Sequence, residues 1–185
     1  MKRTKFFPAL LLALLLAGGP VVAAPAEEQL PEELKAAWAK RDYVKSREIL
    51  QPLAEAGDAS AQFNLGYLYD EGLGVPQDYA KARQLYEQAA EAGNADAQFN
   101  LGYLYDEGLG VPQDYAKARE FYEQAAEAGD AEAQVNLAYL YWHGHGVKQD
   151  YAKARHWFEK AAAQNENPWV KAVAQTVLRI LNDQN

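Results

Sequence analysis

An asparagine and a tyrosine recur together every 36 residues, and this pair could bind a peptide. A carboxamide both donates and accepts hydrogen bonds, so it can hold the backbone of an extended chain, and a tyrosine offers a flat amphipathic contact. Helices about 8–10 Å apart would match about three residues of a peptide that advances about 3.3 Å per residue. Alternatively, each asparagine bonds the neighbouring repeat and each tyrosine only packs. The residues concerned are Asn64, Asn100, Asn136, Tyr67, Tyr103 and Tyr139.

The three histidines of the chain are the residues best suited to ligate a metal. His143 and His145 form a His-x-His pair, and His156 follows on the next predicted helix. Imidazole nitrogens are common ligands of zinc and copper. His156 falls on the polar face of its helix, however, and nothing in the sequence brings it to the other two. We therefore predict no metal and no other cofactor.

Trp142 stands beside these histidines at a position where the preceding copy has Asp106. Tryptophan is enriched at the energetic centres of protein interfaces, which would make Trp142 part of a binding surface. The simpler interpretation is that a repeat near the end of a stack needs a different surface. Both remain open.

The residue types of most catalytic sites are missing or isolated. The chain has no cysteine, few serines and no serine-histidine-acid constellation. Asp70 and Glu71 form an acidic pair that we expect to be solvated at a helix end, and the G-x-G of Gly72 and Gly74 follows a helix, unlike a phosphate-binding loop. We predict that the protein is not an enzyme.

These residues lie on a repeated unit of 36 residues. The segments 58–93 and 94–129 differ at four positions, and 130–165 keeps the same frame with more changes. Segment 27–57 is predicted to be a degenerate helix pair, and 166–185 a closing helix. Near-identity over this length indicates duplication of a structural unit.

Each unit has the start and stop signals of two helices. In the first unit, Asp58 is a good N-cap for a helix to about Tyr69, which Gly72 ends, and a second helix is predicted from Tyr79 to Ala92. The first helix is apolar on two sides, so it needs two packing partners, its own second helix and the next repeat. A glycine inside it, Gly66, indicates close helix approach. We predict an all-α fold of stacked helix-turn-helix repeats.

The unit resembles the Sel-1-like repeat, a relative of the tetratricopeptide repeat. The matching motifs are A-Q-x-N-L-G-x-L-Y, E-G-L-G-V and D-Y-A-K-A-R-x-x-Y-E-Q-A-A, which fill 58–165 densely and 41–57 in part. The resemblance implies a right-handed superhelical α/α solenoid that serves as an adaptor or scaffold. In related tetratricopeptide proteins the asparagines of the first helices line the concave face, which implies the same for the asparagines here.

The start of the chain has the pattern of a secretory signal peptide. Lys2, Arg3 and Lys5 precede an uncharged segment rich in leucine and alanine, and small residues precede a predicted cleavage after Ala26. Removal of residues 1–26 would leave 15 basic and 26 acidic residues, a net charge of −11, which disfavours nucleic acid. We expect a periplasmic or secreted protein without a membrane span after cleavage.

Together these features predict a non-enzymatic scaffold of the periplasm or cell envelope whose partner is a protein or an extended peptide. The predicted contact residues are the three asparagines, the three tyrosines and Trp142. One alternative is a hydrolase acting on cell-wall or β-lactam substrates, because some cysteine-rich Sel-1-like proteins are linked to penicillin binding, but their paired cysteines are absent here. A histidine-based metal binder is the other alternative.

Overall fold

The computed structural model describes residues 31–164 and 168–182, and this part of the chain consists of nine α-helices without a strand. The predicted signal peptide at residues 1–26 lies outside the described residues. The helices are α1 Glu32–Ala39, α2 Tyr43–Glu55, α3 Ala59–Glu71, α4 Tyr79–Glu91, α5 Ala95–Glu107, α6 Tyr115–Glu127, α7 Ala131–His143, α8 Tyr151–Ala163 and α9 Pro168–Asn182.

Side-chain caps and glycines set the ends of the repeated helices. The Asp58 carboxylate accepts a 2.7 Å hydrogen bond from the Ala61 amide at the start of α3, and Asp78 caps α4 in the same way. Gly72 ends α3 in the left-handed conformation, with φ of 67°, where a residue without Cβ is favoured. The following repeats copy these ends, so the local sequence alone fixes where each helix begins and stops.

Each helix packs against the helices before and after it along the chain, which confirms the predicted solenoid of stacked helix-turn-helix repeats. Within a repeat, the two helices approach closely at a glycine. A Cβ added to Gly66 would lie 2.7 Å from the ring of Tyr86, and one added to Gly102 would lie 2.5 Å from the ring of Tyr122. Both rings are fully buried, so glycine is what allows the ring to lie on the helix backbone, as predicted.

The apolar core runs continuously along the stack. Phe63 packs against Tyr86 and Phe99 against Tyr122, each pair with ring centroids 5.8 Å apart. Phe121 contacts buried residues of both the earlier and the later repeats. At the end of the stack, α9 buries one apolar side against its neighbours, and its buried residues include Val170, Val173, Ala174, Val177 and Leu181. Of the helices described, none combines the length and apolarity needed to cross a membrane.

Candidate functional site

Two of the three predicted asparagines lie inside the protein. Asn64 is 2% exposed and donates a 2.6 Å hydrogen bond to the carbonyl of Ser60, while Asn100 is 0% exposed. Asn136 is half-buried. The prediction that this series reaches a peptide does not fit Asn64 and Asn100, because solvent and therefore a guest cannot touch their amides in this packing.

A buried hydrogen bond between a tyrosine and an aspartate lies next to Asn100. The Tyr86 hydroxyl donates a 3.0 Å hydrogen bond to the Asp70 carboxylate. The Asn100 side chain of the next repeat lies near the same hydroxyl, where it opposes the rise in the pKa of Tyr86 that burial causes. Asn100 is thus buried between its own helix and the second helix of the repeat before it. Asn64, in contrast, hydrogen-bonds Ser60 within its own helix, so the three asparagines do not share one arrangement.

The second repeat has the same buried tyrosine–aspartate hydrogen bond, and the third repeat replaces both residues. Tyr122 donates a 3.2 Å hydrogen bond to Asp106, and Asn136 of the third repeat lies near the Tyr122 hydroxyl. In the third repeat the corresponding partners are Trp142 and Phe158, whose rings meet edge to face at 6.3 Å. Both polar partners change together, so neither is left buried without the other.

Burial changes the acidity of these carboxyl groups. Asp70 is 3% exposed, so the expectation that it is solvated was wrong, whereas Glu71 is exposed. Desolvation raises the pKa of Asp70 from 3.8 to about 6, although the hydrogen bond from Tyr86 opposes the shift. Desolvation likewise raises the pKa of Asp106 to about 6.

The three predicted tyrosines are half-buried and keep part of their rings at the surface. Each lies near the tyrosine that begins the second helix of the preceding repeat. We call these six residues the tyrosine face. Its pairs are Tyr43 with Tyr67, Tyr79 with Tyr103, and Tyr115 with Tyr139.

Close packing of a loop on the preceding repeat positions these pairs. Gly110 has φ of 67°, and a Cβ on it would lie 2.6 Å from Cβ of Tyr79. Gly74 meets Tyr43 and Gly146 meets Tyr115 in the same way. The E-G-L-G-V motif therefore carries a signal for the tyrosine pairs, because its second glycine lets the loop lie directly on the helix that each partner tyrosine begins.

Aromatic rings extend the tyrosine face at both ends. Near the start of the chain, Trp38 lies 5.3 Å from Tyr43 and 6.0 Å from Tyr67 between ring centroids. In the third repeat, Tyr139 lies 6.5 Å from Trp142, and the His145 ring stacks on that of Tyr115 at 4.6 Å. Trp142 is half-buried, so it lies beside the tyrosine face with part of its surface accessible.

Two of the three histidines come together and the third does not join them. The rings of His143 and His145 are 5.6 Å apart, whereas His156 lies exposed on α8. Burial lowers the pKa of His143, and the neighbouring His145 lowers it further. Within residues 31–164 and 168–182 there is no group of three or more histidine, aspartate or glutamate side chains arranged to hold a metal ion.

Comparison with known proteins identifies the repeat. The Sel1 repeat model matches residues 35–58, 59–94, 95–130 and 131–166. A Sel1 repeat protein from Oxalobacter formigenes has 33% identity and a TM-score of 0.74 over 82% of this chain and 60% of its own. The protective antigen c5321 of uropathogenic Escherichia coli, which displays an SLR fold, has 38% identity and a TM-score of 0.71 over 76% of this chain and 29% of its own.

This chain thus spans less than two thirds of either relative. Cysteine rich protein B of Helicobacter pylori shares the fold, with 23% identity and a TM-score of 0.50 over 83% of this chain and 100% of its own. No curated protein matches the sequence. Sel1 repeat proteins are in general scaffolds for protein interaction. The four matched repeats and the solved relatives show that the chain belongs to the Sel1 repeat family.

Proposed function

We propose that the protein is a non-enzymatic scaffold that binds an extended segment of another protein across its tyrosine face. The observation that carries the proposal is the regular recurrence of half-buried tyrosines on successive repeats, each beside a second tyrosine from the repeat before. Tyrosine rings give large contact areas at a small cost in conformational entropy, and their hydroxyl groups can hydrogen-bond a peptide backbone.

The spacing expected for the tyrosine pairs would suit an extended guest. Helices packed side by side lie about 8–10 Å apart, and at that spacing consecutive pairs would contact about every third residue of a strand. The face includes Trp142, a residue type enriched at the centres of interfaces. The sequence predicted contact by tyrosines and asparagines together, and the proposal keeps the tyrosines because Asn64 and Asn100 are buried inside the stack.

The cell envelope is the proposed location, and an envelope protein is the proposed partner. This part of the proposal rests on the basic and apolar pattern of residues 1–26. Fractionation of cells that express the full chain tests it. We expect the shortened protein in the periplasmic or secreted fraction, and an uncleaved cytoplasmic protein would contradict the location while leaving the binding face untouched.

Affinity capture from an envelope extract tests the binding face. We expect Tyr103→Ala with Tyr139→Ala to lose most of the proteins that the unchanged chain captures. Gln88→Ala with Gln124→Ala is the control, because both glutamines are exposed on second helices, α4 of the first repeat and α6 of the second. Retention of the captured proteins by the tyrosine variant, with its helical circular dichroism unchanged, would reject this surface.

A further inference from the structure

Two exposed glutamates alternate with the tyrosines along the stack. Glu71 ends α3 and Glu107 ends α5, four residues after Tyr67 and Tyr103 respectively, which places each on the same side of its helix as that tyrosine. Both carboxylates are exposed. Neither forms an ion pair with any residue in the part of the chain that the structure describes.

Each glutamate also lies near a tyrosine of the next repeat. Burial raises the pKa of Tyr103 to about 12, and the carboxylates of Glu107, Asp70 and Glu71 contribute to the shift. Burial, followed by Asp106 and Glu107 among its causes, raises the pKa of Tyr139. The order along the face is therefore Tyr67, Glu71, Tyr103, Glu107, Tyr139.

This alternation combines the two features that favour a cation. A carboxylate attracts an ammonium or guanidinium group, and the face of a neighbouring tyrosine ring adds a cation–π interaction. The chain already places a lysine over a tyrosine in another part of each repeat, with Lys81 Nζ 4.3 Å from the centre of the Tyr69 ring. The net charge of the whole sequence, −8, also attracts a basic guest.

The pattern stops at the third repeat. His143 occupies the position that corresponds to Glu71 and Glu107, and Lys148 occupies the position of Pro112 in the following loop. His143 instead packs against Tyr139, with ring centroids 4.2 Å apart. The acidic part of the face is thus confined to the two spaces between the three tyrosine pairs.

We infer that the guest presents two lysine or arginine side chains three residues apart, one to the Glu71 space between Tyr67 and Tyr103 and one to the Glu107 space between Tyr103 and Tyr139. The part of the guest beyond the Glu107 space meets the histidine and tryptophan rings of the third repeat. This inference rests on the proposed function, and it adds the chemistry of the partner.

Fluorescence anisotropy with synthetic peptides tests the inference on the full chain. The probe is a fluorescein-labelled peptide with lysine at every third position and alanine and serine between. Two comparison peptides have glutamine in place of each lysine, or the same lysines placed next to one another. We expect the spaced lysine peptide to bind best, and its affinity to fall with added salt because exposed charges are screened.

Charge variants assign the binding to the two spaces. An exposed ion pair strengthens binding by about 1.4-fold to fivefold, so Glu71→Gln with Glu107→Gln should weaken the lysine peptide by about twofold to twenty-fivefold. Glu91→Gln with Glu127→Gln is the matched control, because it removes the same charge from exposed positions at the far ends of α4 and α6. His143→Glu should strengthen binding of a three-lysine peptide.

Equal weakening by the two glutamate pairs, or equal affinity for the three peptides, would overturn the inference. The proposed function is judged separately by the captured envelope proteins. If those proteins are lost with Tyr103→Ala and Tyr139→Ala but retained with Glu71→Gln and Glu107→Gln, the tyrosine face is the binding surface and its guest is not basic.

Discussion

The hydroxyl of Tyr86 lies 3.0 Å from the carboxylate of Asp70, sixteen residues earlier in the chain, and donates a hydrogen bond to it. This bond joins the two helices of the first complete repeat. The buried Asn100 side chain of the next repeat lies near the same hydroxyl, so the two repeats meet at this polar group. The polar residues inside the stack therefore contribute to the order of the repeats, while the tyrosine face stays available at the surface.

Removal of the Tyr86 hydroxyl should destabilise the fold. Tyr86→Phe would leave the Asp70 carboxylate buried without its donor, and we expect a loss of about 1–3 kcal/mol in the free energy of unfolding. Tyr122→Phe is the matched comparison and should cost less, because Asp106 is only half-buried. Urea denaturation followed by circular dichroism measures both. Unfolding midpoints equal to that of the unchanged chain would show that these bonds contribute no stability.

The same carboxyl groups should make stability fall as pH rises. The folded pKa of Asp70 and that of Asp106 are about 6, above the ordinary value of 3.8. Between these values the folded chain binds more protons than the unfolded chain. The stability that the two raised pKa values contribute is therefore fully present below about pH 4 and is lost as the pH rises through about 6. We expect the free energy of unfolding to decrease over this interval.

The variant Asp70→Asn with Asp106→Asn isolates this effect. It removes both titrating groups and should make the dependence of stability on pH shallower between pH 4 and pH 7. The raised pKa of Glu132, about 7, acts in the same direction and remains in the variant. A slope that is unchanged by the two substitutions would mean that these carboxyl groups titrate alike in the folded and unfolded chains.

Alanine substitutions at two glycines distinguish the contribution of packing between repeats from that of local backbone strain. Gly110 and Gly93 both have positive φ, 67° and 85°, so alanine is strained at either position. A Cβ on Gly110 would collide with Tyr79, whereas Gly93 has nothing within 4 Å of that point. We expect Gly110→Ala to lower the free energy of unfolding by at least about 1 kcal/mol more than Gly93→Ala does. Equal losses in thermal or urea denaturation would show that the loop does not pack tightly on the preceding repeat.

The fold could be predicted from the sequence because its signals are local and repeated. Asp58 and Gly72 mark the ends of the first helix by side-chain capping and by the left-handed conformation, and the structure has both. Gly66 predicted a close helix approach because a glycine inside a helix is costly unless something packs against it. Because the unit recurs, a prediction that is correct for one copy is correct for the others.

The candidate site was predicted only in part, because the side of a helix that faces outward depends on its neighbours. Asn100 and Tyr103 are close in sequence, yet the first is buried against Tyr86 and the second reaches the surface. One signal was available: the third copy replaces Asp106 by Trp142 and Tyr122 by Phe158 together, as expected of two residues in contact. The pairing of Tyr79 with Tyr103 depends on the loop at Gly110, which helix periodicity does not place.

Photo-crosslinking from position 103 tests most directly whether the tyrosine face binds a partner. A benzoylphenylalanine in place of Tyr103 keeps an aromatic ring on the face, and the same residue in place of Gln124 is the control on the exposed side of α6. In cells that express the full chain, irradiation should give protein adducts from position 103 and few or none from position 124. Adducts from position 124 alone would contradict the account and move the binding surface to the second helices.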